Sequence, residues 1–191
     1  MDNIYLTEYS ELYCKTGKPD RYLLAFQARA GMTRKYAWAI PTDEAIATCI
    51  KYAPLIEIGA GRGYWASLIR KSGADILAFD KDIEANNWKE AGTWTEVSQG
   101  DENTIKSCPN RTLFLCWPCY DTPMAYNCLK NYKGDTLIYV GEGKGGCCAN
   151  DKFWKEIEKK WVEVESVDTP QWDGMHDYMA VYKRKLKWGT K

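Results

Sequence analysis

Short apolar runs along the chain alternate with stretches of helical periodicity, and the alternation predicts an α/β protein. Leu55, Ile56 and Ile58 follow Pro54, which has no N–H to give a sheet ladder, and they predict a strand covered on both faces. D-I-L-A-F-D-K-D from Asp75, Leu113 to Leu115, and T-L-I-Y-V from Thr136 repeat that pattern, and Thr93 to Asp101 gives a weaker third strand. Helices fall between them. One is capped by Thr42, with Asp43 and Glu44 in its first turn and Ala45, Ile46, Cys49 and Ile50 as its stripe. Another runs from Tyr64 to a stop at Gly73, with Trp65, Leu68 and Ile69 on one face. Lys81 to Gly92 is polar and predicts a short helix and loop. Met124 to Asn131 and Asp151 to Lys160 are the later helices, the second capped by Asn150 or Asp151. Trp161 to Val167 and Tyr178 to Lys183 alternate as an antiparallel pair does. Ahead of all this, Tyr5 to Tyr13 and Arg21 to Ala30 read as two helices separated by K-T-G-K-P-D, a helical extension over residues 1–35.

Candidate chemistry begins where the first strand breaks, at I-E-I-G-A-G-R-G-Y-W. Gly59, Gly61 and Gly63 supply positive φ and bare backbone, and the helix that follows turns its free N–H groups toward a ligand. A dinucleotide fingerprint needs G-x-G-x-x-G, but the spacing here is G-x-G-x-G. Glu57 sits two residues before the first glycine, where its charge would repel a pyrophosphate. About twenty residues on, Asp80 ends the next strand, the place where such folds put a carboxylate on ribose hydroxyls.

On these residues the chain resembles the class I S-adenosylmethionine-dependent methyltransferases, whose first motif is E/D-x-G-x-G-x-G at the end of the first strand. The resemblance covers roughly residues 36–185. It implies a three-layer Rossmann-like α/β fold in a single domain, with a mostly parallel seven-stranded sheet closed by a C-terminal antiparallel hairpin. It also implies S-adenosyl-L-methionine as the cofactor. In that reading Glu57, Gly59, Gly61 and Gly63 hold the methionine portion, Asp80 the ribose and Asp101 the adenine, with Cys116 beside them at the end of the fourth strand. Trp38 and Ile40, on the chain entering the core, either touch the cofactor or pack under the sheet.

The fourth strand runs into R-T-L-F-L-C-W-P-C-Y-D-T-P-M, Arg111 to Met124. Ligands of open parallel sheets lie beyond the carboxyl ends of the strands, so the loop Trp117 to Pro123 occupies the acceptor side. W-P-C-Y resembles the N-P-P-Y tetrapeptide of amino-group methyltransferases, and a similar C-W-P-x-Y-D-T-P-M stretch marks an uncharacterised bacterial and phage methyltransferase-like group. Pro118 and Tyr120 match the tetrapeptide. Trp117 stands where that motif has Asn, Asp or Ser, and an indole cannot accept a hydrogen bond from an amino group. Asp121 is then the candidate acceptor or base. Methyl transfer to a ring or amino nitrogen of a nucleobase or small aromatic molecule is the expected activity, and a non-catalytic cofactor-binding module is the alternative.

Composition modifies this picture in three ways. Twenty-six basic and 26 acidic residues give zero formal charge, so a nucleic-acid acceptor stays open without being favoured. The basic end K-R-K-L-K-W-G-T-K reads as a solvated tail. The first residues lack a basic flank and an apolar stretch, and no run approaches the ~20 residues of a membrane span, which points to a cytoplasmic protein without a membrane partner. Its eight cysteines should then be reduced. C-W-P-C nonetheless offers a dithiol redox alternative, and Cys116, Cys119, Cys147, Cys148 and His176 a zinc alternative. Nine tryptophans and 13 tyrosines, several in predicted loops, suit a pocket for a flat group. G-E-G-K-G-G-C-C, Gly141 to Cys148, reads as a mobile loop aiming Glu142 at that pocket. Trp172, His176 and Asp177 lie in the link before the last strand. Oligomeric state is left open.

Overall fold

A computed structural model describes residues 2–15, 18–83 and 92–186, without the side chains of residues 15 and 18–22. Residues 84–91 of the expected polar helix and loop, and 187–191 of the basic tail, lie outside the described residues.

Seven strands form one sheet in the order β3-β2-β1-β4-β5-β7-β6. β1 (Leu55–Ile58) lies between β2 (Ile76–Asp80) and β4 (Thr112–Cys116), all parallel, and β5 (Thr136–Gly141) continues the parallel set beside β4. β7 (Tyr178–Arg184) inserts antiparallel between β5 and β6 (Trp161–Asp168). Strand order reverses between β1 and β4, so a crevice opens beyond their carboxyl ends. The architecture is the three-layer Rossmann-like one expected from the sequence.

Side-chain alternation explains the layers. Leu55, Phe114, Ile138 and Val140 face one side, against α3 (Asp43–Lys51) and α4 (Tyr64–Lys71). Ile56, Leu113, Leu115 and Leu137 face the other, against α5 (Met124–Asn131) and α6 (Asp151–Lys160). Thr42 caps α3 by accepting the Ala45 N–H, and Asn150 caps α6 through the Phe153 N–H.

The N-terminal helices, α1 (Ile4–Lys15) and α2 (Lys18–Lys35), are longer than the sequence suggested and belong to the first core. Tyr5 is fully buried, stacks on Tyr36 with centroids 4.7 Å apart, and receives the Trp172 indole N–H at 3.2 Å. α2 reads weakly because it leaves Leu23, Leu24 and Phe26 exposed while burying Ala25.

One expected element contracts. β3 is only Ser98–Gln99, where a strand over Thr93 to Asp101 was expected. Thr93 to Val97 is spent on the glycine turn instead: the Trp94 N–H donates to the Arg62 carbonyl, its indole N–H to the Lys35 carbonyl, and Arg70 bonds Thr95 and Glu96. Among the described residues no helix is long and apolar enough to cross a membrane.

Candidate functional site

The glycine turn is built as its residues require. Gly59, Gly61 and Gly63 have φ of 81°, 57° and 73°, left-handed values that a side chain makes costly. Space is scarce as well: a Cβ on Gly63 would meet Val97 Cγ2 at 2.7 Å, and one on Gly59 would meet Met124 Cε at 2.7 Å. Gly59 and Ala60 both donate N–H to the Phe79 carbonyl, which ties the turn to β2. Gly63 caps α4 without a side-chain hydrogen bond, so the first N–H groups of that helix face the turn.

Two acids flank the turn. Asp80 is buried, its Oδ2 accepting the Gly61 N–H at 2.8 Å and its Oδ1 the Asp82 N–H at 3.0 Å. Glu57 is buried on the α3–α4 side, and its Oε2 has no hydrogen-bond partner among the described residues. Burial pushes its pKa up to about 8, reinforced by the Asp80 charge and opposed by Arg70. Asp101 follows β3 and lies two residues before Asn103, the cap of the 3₁₀ turn Thr104–Ser107: its Oδ1 accepts the Asn103 N–H, which with the side chain of Asn103 lowers its pKa.

The Trp117–Pro123 loop is gathered around Asp177 and the 148–149 segment. Trp117, in a left-handed conformation at φ 50°, donates its backbone N–H to the Val140 carbonyl and its indole N–H to Asp177 Oδ1 at 2.8 Å. Its ring stacks on Trp38 at 5.1 Å and 16°, and the Arg29 guanidinium lies 5.4 Å from the Trp38 centroid and 5.8 Å from that of Trp117. The Pro118 carbonyl accepts the Ala149 N–H, and the Asp121 N–H donates to the Ala149 carbonyl. Tyr120 and Asp121 are exposed, lining a depression of about 350 Å³ with Gly145, Gly146 and the start of α6. Of the residues singled out on this loop, Trp117 is joined to Asp177, whereas Tyr120 and Asp121 turn toward that depression.

Asp177 itself is 1% exposed. Burial pushes its pKa up to about 6, against the Trp117 hydrogen bond, with Glu142 adding to the rise and Arg29 and His176 opposing it. Cys116 is half-buried near both Glu57 and Asp177, and desolvation of its thiol first, then those charges, raise its pKa well above the ordinary value. A dithiol nucleophile calls for the opposite shift at its first cysteine. Among the described residues no cluster of His, Cys, Asp or Glu is arranged to hold a metal.

The Gly141–Cys148 segment differs from the mobile loop expected. Glu142 is buried and accepts the Cys147 N–H at 2.7 Å and the His176 N–H at 3.0 Å, pinning this segment to the β6–β7 link. Burial would raise its pKa, but those two donors outweigh it and the net shift is downward. Arg29 carried no sequence signal: it is one cation on a weakly periodic helix, and only the packing of α2 brings it over two tryptophans.

Solved structures share this architecture. A Sulfolobus solfataricus protein provisionally described as a type 11 methyltransferase superposes with a TM-score of 0.52 at 15% identity, over 78% of this chain and 95% of its own. TrmN from Thermus thermophilus gives a TM-score of 0.51 at 11% identity, over 74% of this chain and 48% of its own. Sp1610 from Streptococcus pneumoniae, provisionally described as a tRNA (m1A22) methyltransferase and solved with S-adenosyl-L-methionine, gives 0.48 at 12% identity, over 78% of this chain and 77% of its own. No protein-family model and no curated protein sequence matches the chain. The fold is that of the class I S-adenosylmethionine-dependent methyltransferases.

Proposed function

We propose that the chain is an S-adenosyl-L-methionine-dependent methyltransferase whose acceptor is a ring or amino nitrogen of a nucleobase or small aromatic molecule. One observation carries the reading: Glu57 brings a buried, unpartnered carboxyl oxygen to the base of a turn whose three glycines all adopt positive φ. An unmatched buried oxygen costs about 1–3 kcal/mol, which a cationic or hydrogen-bonding ligand would recover. The residues therefore fit the cofactor. Glu57 and the turn glycines would hold its amino-acid portion, Asp80 its ribose and Asp101 its adenine, with Cys116 along the wall.

When bound, the sulfonium supplies an electrophilic methyl group, so alignment accounts for most of the catalysis asked of the protein. Asp80 keeps the turn in shape through Gly61 while each of its oxygens retains a lone pair. Trp117, Pro118, Tyr120 and Asp121 form the acceptor side, with the two bonds to Ala149 fixing the loop. Zero net charge favours a small molecule over a nucleic-acid polymer.

Calorimetric titration with S-adenosylmethionine and S-adenosylhomocysteine tests the reading. Micromolar binding of both to the folded chain, lost in Asp80→Ala, supports it. Failure of a folded sample to bind either ligand would sink it.

A further inference from the structure

The acceptor loop has few groups left to receive a substrate N–H. The Trp117 indole is a donor and already bonds Asp177. The Pro118 carbonyl is taken by Ala149, and Tyr120 and Asp121 lie in the depression beside α6. Asp177 is different. It reaches the same loop from the β6–β7 link, it is buried, and among the described residues Trp117 is the one donor bonded to its carboxylate, which offers about four lone-pair sites. Near it, Arg29 Nε is buried with no partner among the described residues, while its guanidinium lies against two stacked indoles. A donor left without a partner beside stacked rings is poorly satisfied as it stands, and a planar ligand bearing an acceptor atom would satisfy it.

We propose that Trp38, Trp117, Arg29 and Asp177 form the binding site of the methyl acceptor, a planar nitrogen heterocycle that stacks on the indoles, donates an N–H to Asp177 and offers a ring acceptor to Arg29. This rests on the methyltransferase reading above and assigns the N–H-accepting role to Asp177 in place of Asp121. Trp38 is half exposed and sits in the irregular segment between α2 and α3, so it is the ring free to move aside. Charge argues against an anionic ligand, because Arg29 shares its surroundings with Asp177 and Glu142. At neutral pH Asp177 remains largely ionised even with its raised pKa, and so stays an acceptor.

The indole N–H signals of Trp117 and Trp38 in ¹⁵N–¹H spectra, assigned with Trp117→Phe and Trp38→Phe, report the site without turnover. Cytosine and 2-aminopyridine are the probes, each paired with its dimethylamino counterpart, which keeps the ring but loses the exocyclic N–H. Saturable shifts of both indole signals are expected, with the dimethylamino forms binding at least tenfold more weakly. Asp177→Asn, which keeps an oxygen for the Trp117 indole, should reduce that preference to threefold or less while leaving S-adenosylhomocysteine affinity unchanged. No shift from either probe, or an unchanged preference in Asp177→Asn, overturns the acceptor site. If S-adenosylhomocysteine still binds, the methyltransferase reading survives that result; if it does not, that reading falls separately. Should Asp177→Asn not fold, Arg29→Gln serves instead, and a loss of probe affinity below threefold in it overturns the proposal.

Discussion

Asp80, the last residue of β2, accepts the backbone N–H of Gly61 at 2.8 Å, so one carboxylate shapes the glycine turn and, in the proposed cofactor site, would also hold the ribose. The two duties separate by substitution. Asp80→Ala should weaken S-adenosylhomocysteine binding by tenfold or more, since a hydrogen bond to a charged group contributes about 1.5–3 kcal/mol. Asp80→Asn keeps an oxygen for Gly61 and should lose affinity with little loss of stability. Calorimetry beside urea unfolding of both variants separates the effects; equal destabilisation by the two would contradict the division.

Gly63→Ala should be costly for two reasons that add. The position has φ 73°, and its new Cβ would lie 2.7 Å from Val97 Cγ2 and 3.1 Å from Thr95 Cγ2. A left-handed alanine costs roughly 1–2 kcal/mol before any clash. Urea midpoints should show a loss of about 2–4 kcal/mol. Gly73→Ala, with φ 85° and open space around it, should show only the backbone part.

Glu57 makes stability depend on pH. Its folded pKa, about 8, lies above its ordinary value of 4.5, so the folded chain holds a proton that the unfolded chain has released. The contribution is therefore complete below about pH 4.5 and is lost as pH rises through 8. Glu57→Gln removes this slope. Comparing unfolding free energies at pH 5 and pH 8.5, the wild type should lose on the order of 3 kcal/mol relative to the variant. A parallel pH dependence in both proteins would show that Glu57 is solvated.

Tyr5→Phe tests whether the first helix belongs to the core. It leaves the Trp172 indole N–H buried without its acceptor while keeping the stack on Tyr36. A loss of about 1–3 kcal/mol is expected, with the Trp172 indole resonance shifting as the local reporter.

Much of the architecture could be read from the chain because β4 and β5 are near-continuous apolar runs and β1 is one interrupted by Glu57, and a sheet covered on both faces asks for that. Glu57 and the three glycines were legible for a related reason: their spacing is local, and the turn is made by neighbours. The acceptor side was less so. Asp121 looked like the carboxylate for the loop because it lies four residues from Trp117 in sequence, but the residue bonded to Trp117 is Asp177, 60 positions away. Arg29 and Trp38 meet Trp117 across still longer separations. Thr93 to Val97 carried strand-like residues that the glycine turn and α4 claimed instead, a tertiary choice no local propensity encodes.

Tyr5 to Trp172, Tyr9 to Gln171 and Tyr13 to Asp173 span 167, 162 and 160 residues. These bonds set a timetable for synthesis. On the ribosome β1 and the glycine turn can form once the central strands have emerged, whereas α1, Trp117 and Glu142 wait for the link carrying Asp177, which is made almost last. The glycine turn is thus a product of early folding, and the surroundings of Trp117 are finished last, when the β6–β7 link closes on α1.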